Sequence, residues 1–290
     1  MSILDKIEKY EILDLIKSSI EEDLSGYGDI TTKFLIPPDD YSSAYIICKE
    51  KGGAVLSGMD VIGYILEEIC TGAVYKRLKE DSNKIKEFDI ICTIKGKTQE
   101  LLAAERTCLN FLQHMSGIAT YTNKFVEIAA KYNVKVADTR KTKPGLRKIE
   151  KYAVSCGGGF NHRFGLFDGI LIKDNHVIAA GGVINAVKAI RNKIPHQLKI
   201  EVEVRDFKEL DEAIESRVDI IMLDNMNIEQ IKEAVKKIRK AFSEGCLIEA
   251  SGGITLNNFE DICKTGIDII STGAITHSAL SIDFSLEFEK

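Results

Sequence analysis
An alternation that begins near residue 134 constrains the fold more than any other feature of this sequence. Six short apolar runs follow one another at 134–138 (VKVAD), 169–174 (GILIKD), 198–204 (LKIEVEV), 218–224 (VDIIMLD), 246–251 (CLIEAS) and 267–272 (IDIIST). Stretches of helical period separate them. Ile228, Ile231, Val235, Ile238 and Phe242 recur at steps of three and four, behind a capping box of Asn227 and Gln230. Phe207, Leu210 and Ile214 repeat the pattern one segment earlier. Strands alternating with helices predict a parallel sheet. The runs read apolar on both faces, and six of them predict closure into an α/β barrel of TIM-like type. An open doubly wound sheet is the alternative.

The first 115 residues have a different, α+β texture. A helix is expected over 5–20, with Ile7, Tyr10, Leu13 and Leu15 or Ile16 at helical spacing. Strands are expected at 42–50, 73–78 and 88–94, and a helix from Met59 to Cys70. Thr98 is placed to cap a helix over 98–115. On that helix Arg106 stands four residues after Leu102 and three before Leu109, which sets it on the apolar stripe. A buried arginine needs an anionic partner. Glu105 is one candidate, and a ligand across a domain or subunit boundary is another. The expected division is an N-terminal α+β sandwich domain over 1–115, to which the tail 276–290 returns, and a barrel domain over 116–275.

Composition narrows the function classes. The net charge is −5, which argues against nucleic acid as a partner. No apolar run approaches the ~18 residues of a membrane span. The N-terminal stretch has acids throughout and no apolar core or cleavage signature, so no targeting peptide is expected. Seven cysteines, none in a C-x-x-C pair, argue against a disulfide scaffold or structural zinc and for a reducing, cytoplasmic setting. Of the five histidines, His162 and His176 fall in suspected site loops; no His/carboxylate spacing reads as zinc.

In α/β barrels, function gathers where the strands end. Here nearly every run ends in polar residues: Asp138-Thr139-Arg140-Lys141, Lys173-Asp174-Asn175-His176, Asp224-Asn225, Ser251-Gly252-Gly253 and Ser271-Thr272-Gly273, with Glu201 and Glu203 alternating in the third run. Residues 139–151 hold six Lys/Arg and one acid, a local charge of +5 in an acidic chain. A solvated face is the bland reading; a small anionic ligand is the better one, since arginine forks suit carboxylates and phosphates. The loops at Ser251-Gly252-Gly253 and Ser271-Thr272-Gly273 follow the last two strands, the usual place of a barrel phosphate site. Glu203 and Asp224 offer oxygen ligands to magnesium, or balance the lysines. Lys173 follows an apolar run and is also a candidate Schiff-base lysine, as in an aldolase. Gly157-Gly158-Gly159 is followed by no Gly-Lys-Ser/Thr and is not a P-loop.

The same residues carry a resemblance. Thr139-Arg140-Lys141-Thr142-x-Pro144-Gly145-x-Arg147, the triple glycine and Asn161-His162-Arg163 resemble the quinolinate phosphoribosyltransferase family, also called nicotinate-nucleotide pyrophosphorylase (carboxylating). Glu105-Arg106-Thr107, His114-Met115-Ser116-Gly117, Leu171-Ile172-Lys173-Asp174-Asn175-His176, Glu201-Val202-Glu203-Val204, Leu223-Asp224-Asn225 and Glu249-Ala250-Ser251-Gly252-Gly253 extend it over nearly the whole chain. The resemblance implies a type II phosphoribosyltransferase-like fold. It implies magnesium-dependent transfer of phosphoribosyl from phosphoribosyl pyrophosphate to quinolinate with decarboxylation, giving nicotinate mononucleotide, carbon dioxide and pyrophosphate in de novo NAD biosynthesis. It also implies that Arg106, Arg140, His162, Arg163 and Lys173 hold quinolinate, that Thr139 binds substrate beside them, and that Lys141, Glu203 and Asp224 hold the phosphoribosyl pyrophosphate and its Mg2+. Ser251, Gly252, Gly253, Ser271 and Gly273 then cradle the 5-phosphate. Lys141, Lys173, Glu203 and Asp224 are the implied catalytic residues. A homodimer with shared sites is implied, Arg106 coming from the neighbouring subunit. A relative acting on a monoacid such as nicotinate is the main rival, although it would need fewer cations; the aldolase and a non-catalytic binding protein are others.

Overall fold
The computed structural model describes residues 6–242 and 245–289. The chain runs α1 (Lys9–Leu24), α2 (Ile30–Leu35), β1 (Tyr41–Cys48), β2 (Ala54–Val55), α3 (Met59–Ile69), β3 (Val74–Arg77), β4 (Lys84–Ile85), β5 (Ile90–Lys97) and α4 (Thr98–Ala129). It continues β6 (Lys135–Ala137), α5 (Arg147–Cys156), β7 (Ile170–Ile172), α6 (Asp174–Ala180), α7 (Val183–Arg191), β8 (Ile200–Val204) and α8 (Phe207–Glu215). It closes with β9 (Ile220–Asp224), α9 (Ile228–Ala241), β10 (Leu247–Ser251), α10 (Leu256–Cys263), β11 (Ile269–Ser271), α11 (Ala274–His277) and β12 (Phe284–Phe288). Two compact units result. One comprises 1–123, 142–158 and 275–290; the other comprises 124–141 and 159–274.

The first unit is α+β. Its four-stranded antiparallel sheet has the order β12-β1-β5-β3, so the C-terminal strand pairs with β1. The predicted start of α1 at residue 5 lies outside the described residues. The helix buries Ile12 and Ile16 and leaves Tyr10 exposed, so its apolar stripe is narrower than the sequence suggests. α4 runs well past the predicted end at 115, with 32 residues. Gly117, inside this helix, serves packing: an added Cβ would lie 2.2 Å from the Leu280 carbonyl oxygen. Gly157 is similar, with a Cβ that would meet the Ala119 carbonyl at 2.4 Å. The triple glycine is therefore in part a close-packing device.

The second unit is α/β. All six predicted runs form strands of one parallel sheet, in the order β6-β11-β10-β9-β8-β7. Its edges β6 and β7 are not paired with each other; on the β6 side Phe160 forms an isolated parallel bridge with Ala137. β8 is buried throughout. Its alternation places Ile200, Val202 and Val204 on one face and Glu201 and Glu203 on the other. The helices bury apolar stripes, as at Ile231, Ala234, Val235 and Ile238 of α9, whose Asn227–Gln230 capping box forms as predicted. Among the described residues no helix is long and apolar enough to cross a membrane.

Phe125 and Phe259 anchor the core of this unit. Both are fully buried, with ring centroids 4.9 Å apart in an edge-to-face contact. Phe259→Ala is expected to lower the unfolding free energy by about 3–5 kcal/mol, read from urea denaturation at an unchanged denaturant slope.

Candidate functional site
Alternation across parallel strands builds the site. Lys173, Glu203, Met222, Asp224, Ser251 and Ser271 share the parity that faces one cavity, at or just beyond the C-terminal ends of β7 to β11. The register aligns Glu203 with Met222 and Ser251 with Asp224. Thr139, Arg140 and Lys141 after β6, with His162 and Arg163, complete a cavity of ≈ 490 Å³. Leu171, Met222 and Asn225 also line it. Twelve of the fourteen candidate residues therefore meet in one place. Gly273 is buried next to this lining but not part of it, and Arg106 belongs to the first unit.

Arg106 departs from the sequence reading, because it is exposed. The buried stripe of α4 runs through Leu101, Ala104, Cys108, Leu112 and Met115, and Arg106 falls on the opposite face with Asn110. Leu102, which suggested otherwise, is only half-buried. The basic segment also divides. Arg140 and Lys141 line the cavity, whereas Lys143, Arg147, Lys148 and Lys151 belong to the first unit. There Lys143 lies 3.3 Å from His114, Arg147 donates to Thr142, Lys148 pairs with Glu11 at 2.6 Å, and Lys151 is fully buried.

Within the cavity Lys173 Nζ donates to Glu203 Oε2 at 2.8 Å. The contact turns the amine toward a carboxylate at the cavity wall. Arg163 donates to the Gly169 carbonyl at 3.0 Å. Burial and the neighbouring charge of Arg140 both lower the Arg163 pKa, the physical mark of two guanidiniums held close together. Gly252 sits at φ 88°, and a Cβ there would lie 2.4 Å from Asn225 Oδ1, so only glycine fits between β9 and β10 at this rim.

Beneath the cationic rim lie buried acids. Asp138, fully buried, accepts from the His162 backbone N–H at 2.8 Å and from Asn161 Nδ2 at 2.7 Å. His162 Nε2 lies 3.2 Å from Glu201 Oε2 and 3.8 Å from Glu249 Oε1. These three side chains bring their ligand atoms within 4.8 Å of one another, a grouping that spacing in the sequence does not reveal. Burial and then the charge of Glu201 push the Glu249 carboxyl up to about 7. Burial lowers the His162 pKa, but the hydrogen bond and charge of Glu201, with the charges of Glu249 and Asp138, outweigh it and raise it. The Arg163 backbone N–H opposes that rise by donating to Nδ1 at 2.8 Å, a bond that protonation of Nδ1 would break.

For magnesium, the test is the donor set. Glu203 and Asp224 are hard oxygen donors on the ends of adjacent strands at the cavity wall, as a partly substrate-held Mg2+ requires. The residues fit.

A barrel mouth that gathers guanidiniums, ammoniums, two carboxylates and paired loops after the last strands defines an enzyme class acting on small polyanions. The chain belongs to the quinolinate phosphoribosyltransferase family: residues 29–116 match its N-terminal domain and residues 118–287 its C-terminal domain. It is 44% identical over 280 residues to a probable nicotinate-nucleotide pyrophosphorylase [carboxylating] of Methanocaldococcus jannaschii, covering 95% of this chain and 96% of that one. It is 40% identical over 276 residues to the enzyme of that name from Mycobacterium leprae, covering 94% and 96%. The structure of the nicotinate-nucleotide pyrophosphorylase of Francisella tularensis superposes with a TM-score of 0.93 at 40% identity, over 100% of both chains.

The Glu249 proton gives a measurable pH dependence. A carboxyl held near 7 against an ordinary 4.5 contributes stability that is complete below about pH 4.5 and is lost as pH rises through about 7. Glu249→Gln cannot ionise. Relative to wild type, its unfolding free energy is expected to rise by about 1–2 kcal/mol between pH 6 and 8.5, in parallel urea titrations.

Proposed function
We propose that the cavity transfers phosphoribosyl from phosphoribosyl pyrophosphate to quinolinate with loss of carbon dioxide. The product is nicotinate mononucleotide, as the names of the relatives indicate. The observation that carries the reading is the gathering of Arg140, Lys141, Arg163 and Lys173 around one cavity in an acidic protein. A diacid and a pyrophosphate together bring enough negative charge to occupy them.

In this reading Arg140, Arg163, Lys173 and Thr139 hold the two ring carboxylates. Lys141, Glu203 and Asp224 hold the pyrophosphate side, and Ser251, Gly252, Gly253 and Ser271, with Gly273 behind them, take the 5-phosphate. Glu203 and Asp224 are the residues that would hold Mg2+, which when bound would offset the charge of the leaving pyrophosphate. As the ring nitrogen forms its bond to the ribose carbon, the bond to pyrophosphate breaks and cationic character develops on the sugar. Carboxylates fixed at that wall stabilise it. Loss of the neighbouring carboxylate leaves an electron pair on the ring carbon, which takes a proton. Cations already at that edge lower the cost. Arg106, exposed on the first unit, is free to serve the cavity of a second copy, and we read the enzyme as a homodimer with shared sites. Seven buried, free cysteines accord with a reducing, cytoplasmic setting.

The direct test supplies Mg2+, phosphoribosyl pyrophosphate and ring-carboxyl-labelled quinolinate, with nicotinate in parallel. Labelled carbon dioxide and mononucleotide from quinolinate alone are expected; mononucleotide from nicotinate alone would move the substrate to a monoacid. Arg140→Ala is expected to abolish quinolinate binding in calorimetry, and wild-type affinity would sink the assignment. Mixed dimers of Arg106→Ala with Arg140→Ala chains are expected to regain part of the activity that each lacks alone. No recovery in a verified mixed dimer would count against shared sites.

A further inference from the structure
We infer that Glu201 is a positioning residue for anion binding: it anchors the His162 imidazole, and the imidazole holds the Arg163 backbone so that the guanidinium stays at the cavity wall. The inference rests on the reading of this cavity as a diacid site.

The contacts form a chain from the barrel floor to its rim. Glu201, almost fully buried, faces His162 Nε2 at 3.2 Å. Nδ1 on the other side of the ring accepts the Arg163 N–H at 2.8 Å. The Arg163 side chain then reaches the Gly169 carbonyl at 3.0 Å. Neutral imidazole suits this place because it carries a donor and an acceptor on a rigid ring, and the acceptor role of Nδ1 puts the proton on Nε2, toward Glu201. Both ring nitrogens are thereby turned to protein groups. His162 lines the cavity yet acts from behind the cationic grip. Arg163 needs such a restraint. Its neighbour Arg140 repels it, and water outside the cavity would solvate the guanidinium better. Asp138 fixes the same segment independently through the His162 backbone N–H and Asn161, so the peptide is pinned while Glu201 sets the ring.

The test is a double-variant cycle read by calorimetry with pyridine-2,3-dicarboxylate and by steady-state kinetics. Glu201→Leu is expected to weaken diacid binding ~10-fold or more, as losses of supporting partners commonly do. Arg163→Ala is expected to do the same. The double variant should be no worse than Arg163→Ala alone to within about twofold, because both act through one guanidinium. The KM for phosphoribosyl pyrophosphate should change less than about twofold. Glu201→Gln, whose carbonyl still accepts the Nε2 proton, should stay within about threefold of wild type. Nitrogen NMR of histidine-labelled protein should show His162 Nδ1 as an unprotonated acceptor in wild type and Glu201→Gln, and lose that signature in Glu201→Leu. If Glu201→Leu does not fold, His162→Phe takes its place in the cycle, since it keeps a ring and removes both nitrogens. Losses that multiply in the double variant would overturn the inference, as would full diacid affinity in a Glu201→Leu protein that has lost the imidazole signature. A wild type that binds no diacid would overturn the reading of the cavity instead, while the NMR signature would still report whether the His162 contact exists.

Discussion

Side chains alternate across a strand, and parallel strands in fixed register turn that alternation into a shared wall. In this protein the consequence is strict. Glu203 and Met222 are register partners, as are Ser251 and Asp224, so side chains of one parity on neighbouring strand ends meet on the cavity side, polar against polar at Ser251 and Asp224. The other parity, Val202, Leu223, Ala250 and Ile270, is buried on the opposite side of the sheet. A one-residue slip in any strand would bury its polar set and open its apolar set to the cavity. The hydrophobic demand of the outer face therefore fixes the chemistry of the inner one.

The cavity gathers like charges, and like charges need a reason to stay together. Part of that reason is covalent order, since Arg140 and Lys141 are neighbours in the chain, as are His162 and Arg163. The rest is the acid layer beneath them. Asp138 pins the 161–162 peptide and Glu201 faces the imidazole. Glu249 retains its proton to about 7 and so adds less negative charge near neutrality than a second free carboxylate would. The layer offsets the repulsion of the rim without filling the cavity.

Much of this was legible in the sequence, for physical reasons that can be named. Strand–helix alternation is a local signal, so all six strands of the parallel sheet and the α9 capping box could be read directly. Polar strand ends are local too, and they identified most of the cavity lining. What stayed hidden depends on distance in space or on degree. The length of α4 was hidden because its last turns pass a glycine, Gly117, whose packing role shows only once the Leu280 backbone is seen against it. The exposure of Arg106 was hidden because half-buried Leu102 counts as apolar in a periodicity argument. The basic segment looked like one patch, yet the two units divide it after Lys141. His162, Glu201 and Glu249 come from three separate parts of the chain, and only the folded sheet brings them together.

The ion pair between Lys173 and Glu203 has one more consequence. Each member has the other as partner, so an anion that recruited Lys173 would draw it from Glu203, and a cation that recruited Glu203 would draw it from Lys173. Either event leaves the other half of the pair unpaired in a half-buried site. Two ligands of opposite charge, one for each half, then share a single cost of separation, and the second to arrive finds it already met. By thermodynamic reciprocity each would strengthen the binding of the other to the same degree. One contact of 2.8 Å thus ties the electrostatics of the cationic and the acidic wall of the cavity to each other.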